Sequence, residues 1–218
     1  MTVLLLHALP LDERMWEPQR AAFPNAVTPR LYGRESTMEG WARGILEEVK
    51  NKLAVVGASM GSYCALEVVR QAPERVRGLV LVGARAEADS PERRARRARL
   101  LEVIEAGGAE GLWEEMRPKL FPPGETEAVA FASGLALEQR PDELAAAVEA
   151  IRDRRDSMKV VAGFERPVLF SAGREDPFVA PNEAPPSVEV HSFDTGHLPS
   201  LERPEQFNAV LAEFLARV

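Results

Sequence analysis

The chain has 218 residues, 45% hydrophobic and 28% charged, which predicts one compact globular domain and excludes global disorder. Its 34 acidic and 27 basic side chains give a net charge of −7, which argues against nucleic acid as a partner. Cys64, the single cysteine, cannot form an internal disulfide. The first residues have no positive n-region, and no run approaches the roughly 20 apolar residues of a membrane span. We therefore expect a reduced, cytoplasmic protein with no membrane partner.

Short apolar runs of strand type alternate with longer helical patterns along most of the chain. This alternation is typical of βα units and predicts a mostly parallel sheet covered by helices on both faces. The predicted strands, the second of them weaker than the rest, are Val3–Leu6, Ala26–Thr28, Leu53–Val56, Leu79–Val82, Val168–Ser171 and Val188–His191. The fold class is therefore α/β, with a sheet of about six strands flanked by helices.

Two helices outside the centre of the chain have clear signals. The sequence Ser36-Thr37-Met38-Glu39 is typical of a capping box and predicts a helix that begins there. Its apolar face would hold Met38, Trp41, Ala42, Ile45 and Val49. The last helix is predicted to begin near Pro204 and to close the sheet with one apolar stripe. That stripe consists of Phe207, Val210, Leu211, Phe214 and Leu215.

Residues 86–158 break the alternation, because they show successive helical patterns with no strand between them. Ser90-Pro91 predicts a helix start and Gly107-Gly108 a stop. Two further helices are predicted over 126–137 and 142–155. One more apolar helix face is formed by Leu112, Trp113, Met116 and Leu120. The segment therefore looks like an all-helical insertion.

The first of these helices carries a basic run of five arginines. They are Arg93, Arg94, Arg96, Arg97 and Arg99. We interpret the run as a solvated helix face, and the alternative is a site for an anion or a partner.

A G-x-S-x-G pentapeptide, Gly57-Ala58-Ser59-Met60-Gly61, lies between the apolar run ending at Val56 and an apolar helix pattern. Glycines on either side of the serine permit a sharp, strained turn that exposes its hydroxyl. The turn also points the positive end of the helix and the Met60 N–H toward charge that develops beside Ser59. This context predicts a nucleophilic serine. The alternative is a glycine-rich turn that binds a phosphate or nothing.

A serine nucleophile needs a histidine base and an acid that orients the base. Of the three histidines, His197 lies in a turn-like loop before the final helix and is the predicted base. His7 ends the first strand, and His191 lies within a strand-like run.

Asp176 is the predicted acid, because it closely follows the strand that ends at Ser171. Glu175 is the nearest alternative, and Asp89 and Asp194 are less favoured because they need a different loop geometry. The chain order Ser59, Asp176, His197 is the serine, acid, histidine order of proteins with this type of nucleophile turn.

Five short motifs of the chain belong together: Leu4-Leu5-Leu6-His7-Ala8-Leu9-Pro10, Gly57 to Gly61, Gly173-Arg174-Glu175-Asp176, Gly196-His197 and Leu201-Glu202-Arg203-Pro204. With them the chain resembles the α/β-hydrolase family over essentially its whole length. The resemblance implies a core of residues 1–85 and 159–218, with a helical cap of residues 86–158 inserted in it. It also implies that the customary first two strands are absent. An exposed sheet edge would then have to be short or covered, and a homodimer would be one way to cover it.

The resemblance further implies how a negatively charged oxygen would be bound. The family uses two backbone amides as its oxyanion hole, and by position these are the N–H groups of Leu9 and Met60. His7 is then structural, with its ring bracing the loop. The family usually has glycine where this chain has Ala8, which leaves the direction of the Leu9 amide open.

The implied chemistry is acyl transfer: Ser59 attacks a carbonyl, His197 moves the proton and Asp176 holds the imidazole. We predict a serine hydrolase of small carboxylic esters or lactones. No cofactor and no metal is expected, because one cysteine and three scattered histidines give no metal-ligand spacing. The predicted substrate-binding residues are Arg85, Trp113, Phe178 and Leu198. For Arg85 the alternative is a salt bridge that anchors the cap.

Two other functions fit the same motifs. Carbon–carbon bond hydrolases and lyases of this fold reuse the same three residues, so the nucleophile is better defined than the reaction. A non-catalytic ligand-binding protein on a hydrolase scaffold is an interpretation from another class, which the intact set of Ser59, Asp176 and His197 disfavours.

Overall fold

The computed structural model describes residues 1–124, 126–186 and 188–218. Their centre is a five-stranded sheet in the order β1-β2-β3-β4-β5 with every neighbouring pair parallel. The strands are β1 (Thr2–Leu6), β2 (Leu53–Ala58), β3 (Val76–Val82), β4 (Val168–Gly173) and β5 (Glu189–Phe193). The predicted α/β class and parallel sheet are confirmed. Because all five strands run in one direction, the loops that follow them meet at one edge of the sheet.

The predicted weak strand is reduced to a single bridge at the outer edge of β1. Val27 pairs with Leu4, donating its N–H to the Val3 carbonyl at 2.8 Å and accepting the Leu5 N–H at 2.9 Å. Prolines stand close on both sides, at Pro24 and Pro29, and proline has no N–H to donate to a strand ladder. The sheet therefore has five strands and one bridge where about six strands were predicted.

Helices cover the sheet, as the fully buried residues of β2 and β4 require. Helix α1 (Glu17–Ala22) follows a 3-10 turn, and α2 (Met38–Glu48) packs against α3 (Met60–Gln71), which lies on β1, β2 and β3. After a short α7 (Met158–Ala162) and β5, the chain ends in α8 (Pro199–Glu202) and α9 (Pro204–Leu215). The predicted stripe of α9 is buried at Phe207, Leu211 and Phe214.

The start of α2 differs by one residue from the predicted capping box. Its N-cap is Thr37, whose hydroxyl accepts the Gly40 N–H at 2.9 Å, and not Ser36. Serine and threonine offer the same capping hydroxyl, so adjacent residues of these two types leave the helix start uncertain by one position.

The predicted all-helical segment lies between β3 and β4, and we call residues 86–158 the helical insertion. It contains α4 (Pro91–Leu120), α5 (Glu127–Leu137) and α6 (Pro141–Asp153). Ser90 caps α4, and Gly108 interrupts it with φ 59° and ψ −145°, where a stop was predicted. Among the described residues, no helix is both long and apolar enough to cross a membrane.

Candidate active site

Ser59 occupies the sharp turn between β2 and α3. Its backbone has φ 50° and ψ −112°, and no other non-glycine residue among those described has a positive φ. The Ser59 N–H donates to the Val82 carbonyl of β3 at 2.7 Å, and its side chain does not cap α3. Such a conformation is strained for a residue with a Cβ and is held only where the surroundings fix it. The hydroxyl is thus held at the start of a helix, at the sheet edge where the loops meet.

The glycines of the pentapeptide are required by close backbone contacts. A Cβ at Gly57 would lie 2.4 Å from the Gly61 carbonyl oxygen, and one at Gly61 would lie 2.1 Å from the Leu6 carbonyl oxygen. Neither contact leaves room for a methyl group. The turn therefore presses α3 against the end of β1, as expected for glycines on both sides of the serine.

Ser62 fixes the same turn in a way that the sequence did not reveal. Its buried hydroxyl donates to the Gly57 carbonyl at 2.5 Å and accepts the Val82 N–H at 3.2 Å. Since these partners come from β2 and β3, the hydroxyl ties the turn to both strands. The one sequence signal for this role of Ser62 was a serine within a helix that was predicted to be apolar.

The structure brings Asp176 and His197 into contact. His197 Nδ1 donates to Asp176 Oδ2 at 2.7 Å, and both side chains are at most 3% exposed. The other carboxylate oxygen, Oδ1, accepts the N–H groups of Phe178 at 2.8 Å and Val179 at 3.3 Å. The carboxylate is thereby oriented, and Nε2 is the ring nitrogen of His197 that remains to accept a proton.

Two further glycines leave room for this pair and for the loop that carries His197. Gly83 follows β3, and a Cβ there would lie 2.8 Å from His197 Cε1 and 3.2 Å from Asp176 Oδ2. A Cβ at Gly173 would lie 1.8 Å from the Gly196 carbonyl oxygen. Because the Ser59 N–H is bonded to the residue before Gly83, the imidazole lies beside the strand end that holds the serine.

The alternative acids and bases lie elsewhere. Glu175 is exposed, and Asp194 is exposed and pairs with Arg174. Asp89 pairs with arginines of the helical insertion. His191 lies on β5 with its ring 4.6 Å from that of Phe193.

Two buried backbone N–H groups at this edge have no acceptor within the described part of the chain. They belong to Leu9, which is 2% exposed, and to Met60, which is fully buried. Buried N–H groups are nearly always paired in folded proteins. The contact of Gly61 with Leu6 brings together the two chain segments that carry these N–H groups. Ala8 has no positive φ, so its methyl group causes no backbone strain.

His7 is buried and acts as a brace for the loop that carries Leu9. Its Nε2 accepts the Leu31 N–H at 2.9 Å, and its Nδ1 contacts the Ala8 carbonyl oxygen at 3.3 Å. Burial lowers the pKa of the imidazole to about 4. The ring is therefore neutral and structural near neutral pH.

The loop of His197 is fixed by Glu202 and by the helical insertion. The Glu202 carboxylate accepts the N–H of Gly196 at 3.0 Å and of Leu198 at 3.3 Å, and burial raises its pKa. The His197 N–H itself donates to the Leu120 carbonyl at the end of α4, at 2.9 Å. The role of Glu202 was not predicted, although the residue belongs to one of the recognised motifs.

The four predicted substrate-binding residues separate into two pairs. Arg85 and Phe178 line a cavity of about 910 Å³ between α4 and the loop after β4, whereas Trp113 and Leu198 are buried and do not line it. Arg85 pairs with Glu183 at 2.5 Å and donates to the Phe178 carbonyl at 3.0 Å. Both partners lie in the loop after β4, so Arg85, directly before the insertion, is joined to the core.

A second cavity, of about 630 Å³, lies at the opposite end of β4 and β5 and is lined by Val168 and Glu189. Within residues 1–124, 126–186 and 188–218, no group of three or more histidine, cysteine, aspartate or glutamate side chains could hold a metal ion.

A strained serine follows a parallel strand of the α/β sheet, and a buried acid–histidine pair lies beside that strand end. The model of the alpha/beta hydrolase family matches residues 3–210, and the chain belongs to this family. It is a hydrolase.

Similar proteins of known structure extend over nearly the whole chain. A thermophilic esterase from Thermogutta terrifontis, solved with malate bound, is 30% identical with a TM-score of 0.90, and the match covers 99% of this chain and 89% of that one. An enol-lactonase from Burkholderia xenovorans has a TM-score of 0.84 at 22% identity, covering 99% and 91%. At that identity the second likeness concerns the fold alone.

A curated relative matches over a shorter segment. It is a pimeloyl-[acyl-carrier protein] methyl ester esterase of Aromatoleum aromaticum, 32% identical over 90 residues. The match covers 37% of this chain and only 36% of that relative's length.

Proposed function

We propose that this hydrolase cleaves small carboxylic esters or lactones through an acyl-enzyme on Ser59. The observation that carries the proposal is the buried Asp176–His197 pair, which contacts Gly83 beside the strand end that accepts the Ser59 N–H. A histidine held by a carboxylate next to a serine is the arrangement that makes a hydroxyl nucleophilic.

In the proposed reaction, Ser59 Oγ attacks the carbonyl carbon while His197 Nε2 takes the hydroxyl proton. Asp176 stabilises the imidazolium, and the N–H groups of Leu9 and Met60 donate to the developing oxyanion. The intermediate collapses as His197 returns the proton to the leaving alcohol oxygen. Water then attacks the acyl-serine with His197 as base, which releases a carboxylic acid, or a hydroxy acid when the substrate is a lactone, and restores Ser59.

Two further observations agree with this proposal. The Thermogutta terrifontis relative is an esterase, and the Burkholderia xenovorans protein of the same fold is an enol-lactonase. The helical insertion contacts the His197 loop through Leu120, so it would act as a cap over the site. Separately, we propose a reducing compartment such as the cytoplasm, which agrees with the buried, free Cys64.

The test is hydrolysis of p-nitrophenyl esters from acetate to octanoate and of a set of γ- and δ-lactones. We expect Ser59→Ala and His197→Ala to lower kcat/KM by on the order of a thousandfold or more. Exposed Ser36 and strand residue His191 provide matched controls, and Ser36→Ala and His191→Ala should retain the wild-type rate. A burst of p-nitrophenol equal to the enzyme concentration would report the acyl-enzyme.

Two results would contradict the proposal. One is folded wild-type protein that turns over none of these esters or lactones. The other is a Ser59→Ala variant as active as the wild type.

A further inference from the structure

The cavity between α4 and the loop after β4 is strongly basic, although the whole chain has a net charge of −7. Six arginines line it: Arg85, Arg93, Arg96, Arg97, Arg99 and Arg154. The acidic residues in its wall are Glu102 and Glu115, and Glu115 is paired with Lys119. Positive charge is therefore concentrated in one concave surface, which attracts anions.

Only part of this positive charge is neutralised by the protein. Three guanidinium groups share the single Asp89 carboxylate, at 2.7 Å for Arg154, 3.1 Å for Arg97 and 3.4 Å for Arg93. The side chains of Arg96 and Arg99 form neither a hydrogen bond nor a salt bridge with any residue that the structure describes. These two guanidinium groups are free to bind a carboxylate, which arginine does with two parallel hydrogen bonds.

The cavity shares a wall with the candidate active site. Phe178 lines the cavity, and its ring packs edge-on against the His197 ring at 4.8 Å between centroids. Tyr63, also in the wall, lies one helical turn beyond Ser59 in α3. Ser59 and His197 do not themselves line the cavity, so a ligand would pass Phe178 to place one end at Ser59 and the other among the arginines.

We propose that this cavity binds a carboxylate of the substrate, so that the enzyme prefers esters with a free acid group remote from the ester bond. The inference rests on the proposed function and adds the substrate class. Arg96 and Arg99 hold the acid group, while Arg93, Arg97 and Arg154 are kept in place by Asp89. The basic run on α4 is then an anion site and not merely a solvated helix face.

The kinetic test compares acidic and neutral esters of matched length. Mono-p-nitrophenyl adipate against p-nitrophenyl hexanoate places the acid on the acyl side, and 4-carboxyphenyl butyrate against phenyl butyrate places it on the alcohol side. For one of these pairs, we expect the acidic-to-neutral ratio of kcat/KM to fall about tenfold in the Arg96→Ala/Arg99→Ala variant. The pair that responds identifies the side on which the acid lies.

Arg94→Ala is the matched control, because it removes a charge from the same helix outside the cavity, where Arg94 pairs with Asp153 at 2.8 Å. Its ratio should equal that of the wild type. The proposal would be overturned if the ratio were unchanged in Arg96→Ala/Arg99→Ala for both ester pairs. It would also be overturned if Arg94→Ala lowered the ratio as much as the double variant does.

A binding measurement separates this inference from the catalytic one. Titration calorimetry with adipate should give heat of binding with the wild type and with Ser59→Ala, and none with Arg96→Ala/Arg99→Ala. Adipate binding that needs these arginines in a protein without esterase activity would retain the carboxylate site and refute the proposed reaction. Ester hydrolysis without adipate binding would refute the site and retain the reaction.

Discussion

Backbone hydrogen bonds join the strand ends beside Ser59 to one another, whereas several contacts between the helical insertion and the core are ion pairs at the surface. In the core, Ser59 donates to Val82 at 2.7 Å, and Gly83 donates to Ser171 at 2.8 Å. Such buried contacts are insensitive to ionic strength.

The insertion instead uses ion pairs of partly exposed arginines, such as Arg30 with Glu143 at 2.8 Å and Arg14 with Glu138 at 2.7 Å. Salt screens pairs of this kind. Raised ionic strength should therefore weaken these contacts of the insertion before it weakens the strand ends beside Ser59.

The largest expected effect is on the free energy of unfolding, and it compares a glycine of the Ser59 turn with a glycine of the helical insertion. Gly61→Ala places a methyl group 2.1 Å from the Leu6 carbonyl oxygen, and because both partners are backbone, neither can move away. We expect a loss of about 3 kcal/mol or more in the free energy of unfolding, measured in urea. In α5, a Cβ at Gly134 meets nothing within 4 Å, so Gly134→Ala should stabilise by about 0.5–1 kcal/mol. Equal stability of the two variants would contradict the comparison.

The second prediction concerns pH and the buried His7 of the core. Its pKa is about 4 in the folded protein against about 6.5 when unfolded. As the pH falls from 6.5 to about 4, His7 binds a proton in the unfolded state but not in the folded state. The free energy of unfolding therefore decreases on acidification. The loss should reach about 3 kcal/mol.

His7→Gln keeps an acceptor for the Leu31 N–H and cannot titrate, so its stability should fall less steeply over this pH range, as measured by urea unfolding at each pH. His191→Gln should keep the wild-type slope. The same slope in His7→Gln and wild type would refute the assignment of this acid sensitivity to His7.

The smallest effect is expected in the insertion. Asp89→Asn removes the carboxylate shared by Arg93, Arg97 and Arg154, which leaves three cations close together. We expect a loss of about 2 kcal/mol, less than for a fully buried pair because Arg93 and Arg97 are partly exposed. Hydrogen exchange should show faster opening of residues 91–107 than of β2.

The exposed pair of Arg140 and Asp142 is the control, and Asp142→Asn should change stability by less than about 0.5 kcal/mol. Protection of 91–107 unchanged in Asp89→Asn would count against charge as the main support of α4.

The sequence predicted most of the fold because the strands are continuous apolar runs, and the helix stripes are strong. The length of the strand at Val27 was overestimated. The neighbouring prolines shorten it because they lack an N–H, a property that a hydrophobicity pattern does not show. The residues of the candidate site were named from loops that follow strands, and parallel strands bring such loops to one edge.

Contacts between distant parts of the chain could not be predicted. Ser62 bonds to Val82, and the Asp89 carboxylate is shared by arginines from both ends of the insertion. The helical period placed Arg96 and Arg99 on an outer face, but only the fold puts residues 177–179 opposite them and encloses a cavity.

The hydrogen bond from the His197 N–H to the Leu120 carbonyl also limits how this architecture can be recombined. A cap taken from a relative would have to present a carbonyl at the same place, or the loop of the histidine would lose a fixed point. The segment before Gly108 carries no such tie to His197, and its direction already changes at that glycine. Residues 91–107 alone are therefore the natural segment to exchange when a new selectivity is grafted onto this scaffold.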